Sequence, residues 1–157
     1  MPVERATAAE LDALSALIDG WAAEALASNA LLAAVDRDPG MLRWYVRMRG
    51  EDKAIITVWL TLRERTLHFE TYFMPGPEEQ RDRCFEYLLR ANQAMLAWRF
   101  TLGAEEAVYL VGALPVTSID ADELDRIIGS AYAYSEQHFC SAMSIGYATR
   151  FPAAGPS

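Results

Sequence analysis

Lysine is almost missing from this 157-residue chain: of its fourteen basic residues thirteen are arginine, and Lys53 stands alone. Schiff-base, phosphate-loop and lysine-base chemistries would all have to pass through that one residue. Histidine is nearly as scarce. His68 and His138 form no H-x-x-x-H or H-E-x-x-H pair, which leaves little support for zinc. The two cysteines, Cys84 and Cys140, have no C-x-x-C spacing, so neither a disulfide nor a metal cage is expected, and both read as small buried apolar residues. No G-x-S-x-G, G-x-G-x-x-G or phosphate-binding loop occurs, so no nucleotide cofactor is implied. No apolar run reaches about 18 residues, and Met1–Glu10 lacks the basic-then-apolar layout of a secretory signal. The expectation is a soluble, cytoplasmic protein with no cofactor and no metal.

What is present suits one folded domain. Hydrophobic residues make up 52% and charged residues 23%, enough apolar material for a core. The net charge of −8 disfavours nucleic acid or an anionic membrane as the main partner, since phosphate binding needs clustered cations. That charge is unevenly spread. Residues 1–40 hold seven acids against two Arg, whereas 41–65 hold five Arg and Lys53 against three acids.

Periodicity supplies the elements. Thr7 and Glu10 form a capping box before Leu11, Leu14, Ile18, Trp21 and Ala25, a helical stripe ending near Ser28. Residues 29–35 either extend that helix or fold separately, and Asp36–Gly40 reads as a turn. Three strands follow. Leu42, Trp44, Val46 and Met48 alternate with Arg43, Tyr45, Arg47 and Arg49. Ile56, Val58 and Leu60 alternate with Ile55, Thr57 and Trp59, and Leu67, Phe69 and Phe73 with His68, Glu70, Tyr72 and Met74. For the apolar sets to share one face, the first hairpin loop must be odd, such as Glu51–Lys53, and the second even, such as Glu64-Arg65. Pro77 suits the first turn of a second helix, whose buried stripe reads Cys84, Phe85, Leu88, Leu89, Asn92 and Leu96. Trp98–Leu102 gives a fourth strand, and residues 107–114, nearly all apolar, a fifth that should be central. Asp120 and Glu123 cap a long third helix to about Met143, and residues 148–157 read as a flexible tail after a single domain at 1–147. The predicted class is α+β in the order α-β-β-β-α-β-β-α, a mostly antiparallel five-stranded sheet with helices on one face.

Chemistry is sparse on this frame. His68 and Glu70 share the outer sheet face, and an enzyme would need a constellation around them that no motif supports. The other carboxylates fall at helical spacing or at helix starts, where solvation or the helix dipole accounts for them. The outer face is unusual for its aromatics. Arg43, Tyr45, Arg47, Ile55, Trp59 and Tyr72 combine residue types enriched at protein interfaces, and they are the candidate partner-binding set. Arginines paired with acids of the same sheet or of the first helix are the plain alternative. A small-ligand regulator using the same face as an anion or nucleotide pocket is the other functional reading.

The stretches LRWYVRMRGEDK, ITVWLTLRERTLHFETYFMPGPEE, EYLLRAN, AVYLVGALP and DELDRIIGSAYAYSEQ resemble the actinobacterial-type members of the bacterial YbjN family over about residues 38–147. That family resembles in fold the class I type III secretion chaperones. The resemblance implies a non-enzymatic homodimer that captures extended segments of another protein, with sensory-transduction regulation as the family's loose description. It brings no active-site residues. The first helix, with its Ala-rich extension at 27–35, departs most from the family pattern.

Overall fold

The computed structural model describes residues 2–38 and 40–152. Thr7 caps α1 (Ala8–Ser28) through a reciprocal box: its hydroxyl accepts from the Glu10 N–H and its N–H donates to the Glu10 carboxylate, both at 3.2 Å. Ile18, Trp21, Ala22 and Ala25 are its buried apolar residues.

The next segment corrects the expected strand count. After a turn, residues 32–38 form β1 (Leu32–Asp38), so the sheet has six strands instead of five, and β1 runs past the turn expected from Asp36. Its pairing explains why alternation did not reveal it. Leu32 pairs with Met48 and Val35 with Val46, with a register shift between Leu32 and Ala34. That bulge moves the inward positions from even to odd numbers and erases the period-two signal. Pro39, expected to mark the turn, lies outside the described residues, and Leu42 takes φ 48° as the chain enters the next strand.

β2 (Arg43–Arg49), β3 (Ile55–Leu62) and β4 (Thr66–Met74) form the antiparallel meander that the alternation requires. The Gly50 N–H donates to the Ala54 carbonyl at 3.0 Å, leaving a three-residue loop at Glu51–Lys53. The Arg63 N–H donates to Thr66 at 2.8 Å and leaves Glu64-Arg65. Both parities are as derived. Trp44, Val46, Met48, Ile56, Val58, Leu60, Leu67 and Phe69 are buried. Met74 departs: a register shift after Tyr72 turns it inward beside Phe73, and both are buried.

α2 (Arg81–Asn92) begins at Arg81 and not at Pro77. The N–H groups of Glu78 and Glu79 both donate to the Gly146 carbonyl, which ties that segment to the end of α3 (Ala121–Gly146) and keeps it out of the helix. Cys84 and Leu88 are buried, but Leu89 is 68% exposed and Leu96 78%, contrary to the expected stripe. Cys140, expected inside, is also exposed. β5 (Arg99–Leu102) and β6 (Val108–Pro115) complete the order β1-β2-β3-β4-β6-β5, so the most apolar strand is interior, as its composition predicts. Asp120 caps α3 by accepting from the Glu123 N–H at 2.8 Å. Ile18 and Trp21 of α1, Leu88 of α2 and Leu124 and Ile128 of α3 share one core with the inward strand residues. All three helices therefore cover one sheet face. Of the tail expected at 148–157, Thr149 donates to Glu79 and Phe151 meets Phe139 edge-on at 6.1 Å, while residues 153–157 lie outside the described residues.

One contact ties α3 to the meander. The Glu136 carboxylate accepts the N–H groups of Glu51, Asp52 and Lys53 at 3.0, 2.9 and 3.2 Å. Glu136→Ala is expected to lower stability by about 1–2 kcal/mol and to speed amide exchange at those three residues while leaving Glu64-Arg65 unchanged. Exchange measured by NMR distinguishes this from general loosening.

A second contact sets a pH response. His138 Nδ1 lies 2.7 Å from the Tyr87 hydroxyl, with Phe100 against the ring, and burial lowers the His138 pKa below its ordinary 6.5. The folded state thus favours the neutral ring, and the unfolded chain binds the proton more readily. The resulting stability is present above the unfolded pKa and is lost as pH falls below it. His68, whose pKa is also lowered, chiefly by burial, has the same sign. Tm should drop between about pH 7.5 and pH 5.5, and His138→Phe should reduce that drop.

Candidate functional site

The sheet face opposite the helices is open, and register alone assigns its occupants. One row crosses Asp38, Arg43, Thr61, His68 and Ala113; the next crosses Asp36, Tyr45, Trp59, Glu70, Val111 and Arg99. Arg47 pairs with Thr57, and Tyr72 with Tyr109, on the same side. Arg49 and Ile55 close the far end. The six candidate residues therefore share one surface. Ile55 is 57% exposed, Tyr72 44% and Trp59 39%; Arg47 is exposed, and Arg43 and Tyr45 are half-buried.

Tryptophan chemistry separates this face from the core. Trp21 and Trp44 donate their indole N–H groups to Asp125 and Asp19 at 2.8 Å, and Trp98 donates to the Ile127 carbonyl at 3.2 Å. All three are buried. Trp59 alone is exposed, and among the described residues its indole N–H has no hydrogen-bond partner. Its ring meets Tyr45 edge-on at 5.3 Å, and the Arg43 guanidinium lies 5.0 Å from its centroid. Arg43 Nε also donates to Thr61 Oγ1 at 2.9 Å, so the guanidinium is held over the ring. Tyr72 makes a matching edge contact with Tyr109 at 5.6 Å.

Between these two aromatic pairs lies a concavity of about 550 Å³, lined by Thr57, Trp59, Glu70, Tyr72, Thr101 and Tyr109 among others. Its one charged lining residue is Glu70. Tyr109 and Thr101, which the sequence reading left out, enter because β6 and β5 pair beside β4. Outward positions on those strands become recognisable only with the strand order. At one end of the face Lys53 Nζ lies 5.4 Å from the Tyr72 ring centroid and 5.3 Å from that of Phe139. Burial lowers the Lys53 pKa, with Glu136 pulling it the other way.

A second exposed apolar surface flanks the sheet edge. Leu102 on β5 is 50% exposed, and with Phe85, Leu88, Leu89 and Val108 it lines a groove of about 250 Å³ between α2 and β5. Among the described residues no cluster of three or more His, Cys, Asp or Glu could hold a metal ion, and no helix is long and apolar enough to cross a membrane.

Three comparisons bear on these surfaces. The YbjN family model, described as "Putative bacterial sensory transduction regulator", matches residues 23–141. An uncharacterized protein of Mycobacterium leprae is 29% identical over 108 residues, covering 69% of this chain and 59% of the relative. An uncharacterized protein of Mycobacterium tuberculosis is 29% identical over 102 residues, covering 65% and 56%. The chain thus spans less than two thirds of the length of those relatives. Among solved structures, the Yersinia pestis type III secretion chaperone SycH, in complex with a stable fragment of YscM2, aligns with a TM-score of 0.56 at 17% identity, covering 79% of this chain and 98% of that one. At that identity the likeness is one of fold.

Proposed function

The chain belongs to the YbjN family, and from that premise we propose that it is a non-enzymatic interaction module that binds a partner polypeptide on its open sheet face and acts as a homodimer. The observation that carries this reading is Trp59, the one tryptophan left exposed while three others are buried with their indole N–H groups bonded. Burying Trp59, Ile55 and Tyr72 against a partner contributes roughly 1.5–3 kcal/mol per large side chain before association costs. The fold shared with SycH, itself solved with a protein fragment, supports the same reading. A small anion or nucleotide as the ligand is disfavoured by Glu70, which puts negative charge in the wall of the concavity. The test is capture from the native cell: wild type retains a partner and Tyr45→Ala/Trp59→Ala releases it. Equal retention by both would refute the assignment.

The homodimer is assigned to the α2–β5 surface. Leu89 and Leu102 are exposed and line one apolar groove there, which a second copy would cover across a two-fold axis, whereas the sheet face carries an excess of unpaired arginine that disfavours its own copy. Leu89→Glu/Leu102→Glu is expected to convert a dimer of twice 17.5 kDa into a monomer by light scattering, while the monomer keeps the far-ultraviolet circular dichroism of the folded chain. A monomeric wild type at high concentration would remove the dimer from the account.

A further inference from the structure

Resting on the outer-face reading, we propose that the partner segment is acidic: carboxylates flank one apolar or aromatic side chain that enters the concavity beside Trp59 and Tyr72. The argument comes from how the arginines divide. Arg5, Arg37, Arg81, Arg90, Arg126 and Arg150 each lie within 4.0 Å of a carboxylate. Arg65 donates to the Val3 carbonyl, and Arg83 to Gln80. The remaining five, Arg43, Arg47, Arg49, Arg63 and Arg99, have no carboxylate within that distance among the described residues, and all lie on the open face or at its rim. A chain with net charge −8 has acids to spare, yet these arginines go unpaired together.

Three acids, Asp36, Asp38 and Glu70, share the face, so the excess is positive but interrupted. That pattern decides the class of partner. A continuous phosphate backbone would pass over those carboxylates, whereas separate Asp or Glu side chains can settle on the arginines between them. Glu70 in the wall keeps a carboxylate out of the concavity itself, which leaves that place to an uncharged ring or aliphatic group. Arg47 on β2 and Arg99 on β5 stand on opposite sides, four strand spacings apart, or about 19 Å. Extended chain covers that span in about six residues.

The test uses three dodecapeptides with a central Phe and, at the second and fourth residues to either side so that they share its face of the extended chain, Glu, Gln or Lys, titrated calorimetrically at low and high salt. The Glu peptide should bind at least tenfold tighter than the Gln peptide at low salt and lose that advantage at high salt. Arg47→Gln/Arg99→Gln should erase the preference while retaining Trp59-dependent binding of the Gln peptide. The control Arg83→Gln on α2 should change nothing. Equal affinity for Glu and Gln peptides, with both dependent on Trp59, would overturn the acidic assignment and leave the outer-face reading standing. Preference for the Lys peptide, or tighter Arg47- and Arg99-dependent binding of a dodecameric oligothymidylate, would also overturn it. Binding of none of the three peptides would count against both.

Discussion

Trp44→Ala is expected to destabilise the fold by about 3–5 kcal/mol, whereas Trp59→Ala should cost no more than about 1 kcal/mol and reduce partner binding at least tenfold. Both tryptophans belong to the same meander but face opposite ways. Trp44 is 1% exposed, donates to Asp19 and carries the Arg37 guanidinium 5.0 Å from its ring. Removing it opens a cavity under α1 and leaves the Asp19 carboxylate without that donor. Trp59 loses only an edge contact with Tyr45 and its contact with Arg43, both at a surface already in water. Urea unfolding of the two variants, beside the binding assay, separates structural from functional weight. If Trp59→Ala unfolds the protein as readily as Trp44→Ala, the open face is a structural element and not a docking surface.

Gly112→Ala should destabilise by about 3 kcal/mol or more, at the upper end of overpacking. A Cβ at residue 112 would lie 2.1 Å from the Ala97 carbonyl oxygen and 2.2 Å from the Phe69 ring. The oxygen belongs to backbone just before β5, where Ala97 holds φ 67°, and Phe69 is fully buried, so neither can yield cheaply. Gly20 is the opposite case. Nothing lies within 4 Å of its added Cβ, and as an interior residue of α1 it should gain about 1 kcal/mol as alanine. Thermal melts of the two variants should move in opposite directions. A Gly112→Ala protein as stable as wild type would mean that β5 and β6 pack less tightly than described.

The sequence disclosed most where one pattern acted alone. The alternation of Trp44, Val46 and Met48 against Arg43, Tyr45 and Arg47 named the buried face, and parity then set both loop lengths without any tertiary information. It disclosed least where tertiary contacts overrode the local pattern. The bulge after Leu32 hid β1, and another beyond Tyr72 turned Met74 inward. Leu89 and Leu96 fit the spacing of a helical stripe, yet both are exposed among the described residues, and Leu96 lies beyond the end of α2 at Asn92. The Gly146 carbonyl, 67 residues from Glu79, decides where α2 begins. The candidate site divided the same way. Arg43, Tyr45, Arg47, Ile55, Trp59 and Tyr72 were readable from three neighbouring strands. Tyr109 and Thr101 depended on β6 lying between β4 and β5, which no local signal specifies.

The central claim is that the uncovered side of the sheet meets another polypeptide, and a photo-cross-linker installed there addresses it most directly. With benzoylphenylalanine replacing Tyr72, irradiation in the native cell should yield an adduct to a different protein. The same group at Leu17 on α1 should not yield that adduct. A Tyr72 adduct found only within its own chain, or no polypeptide adduct at all, would contradict the account.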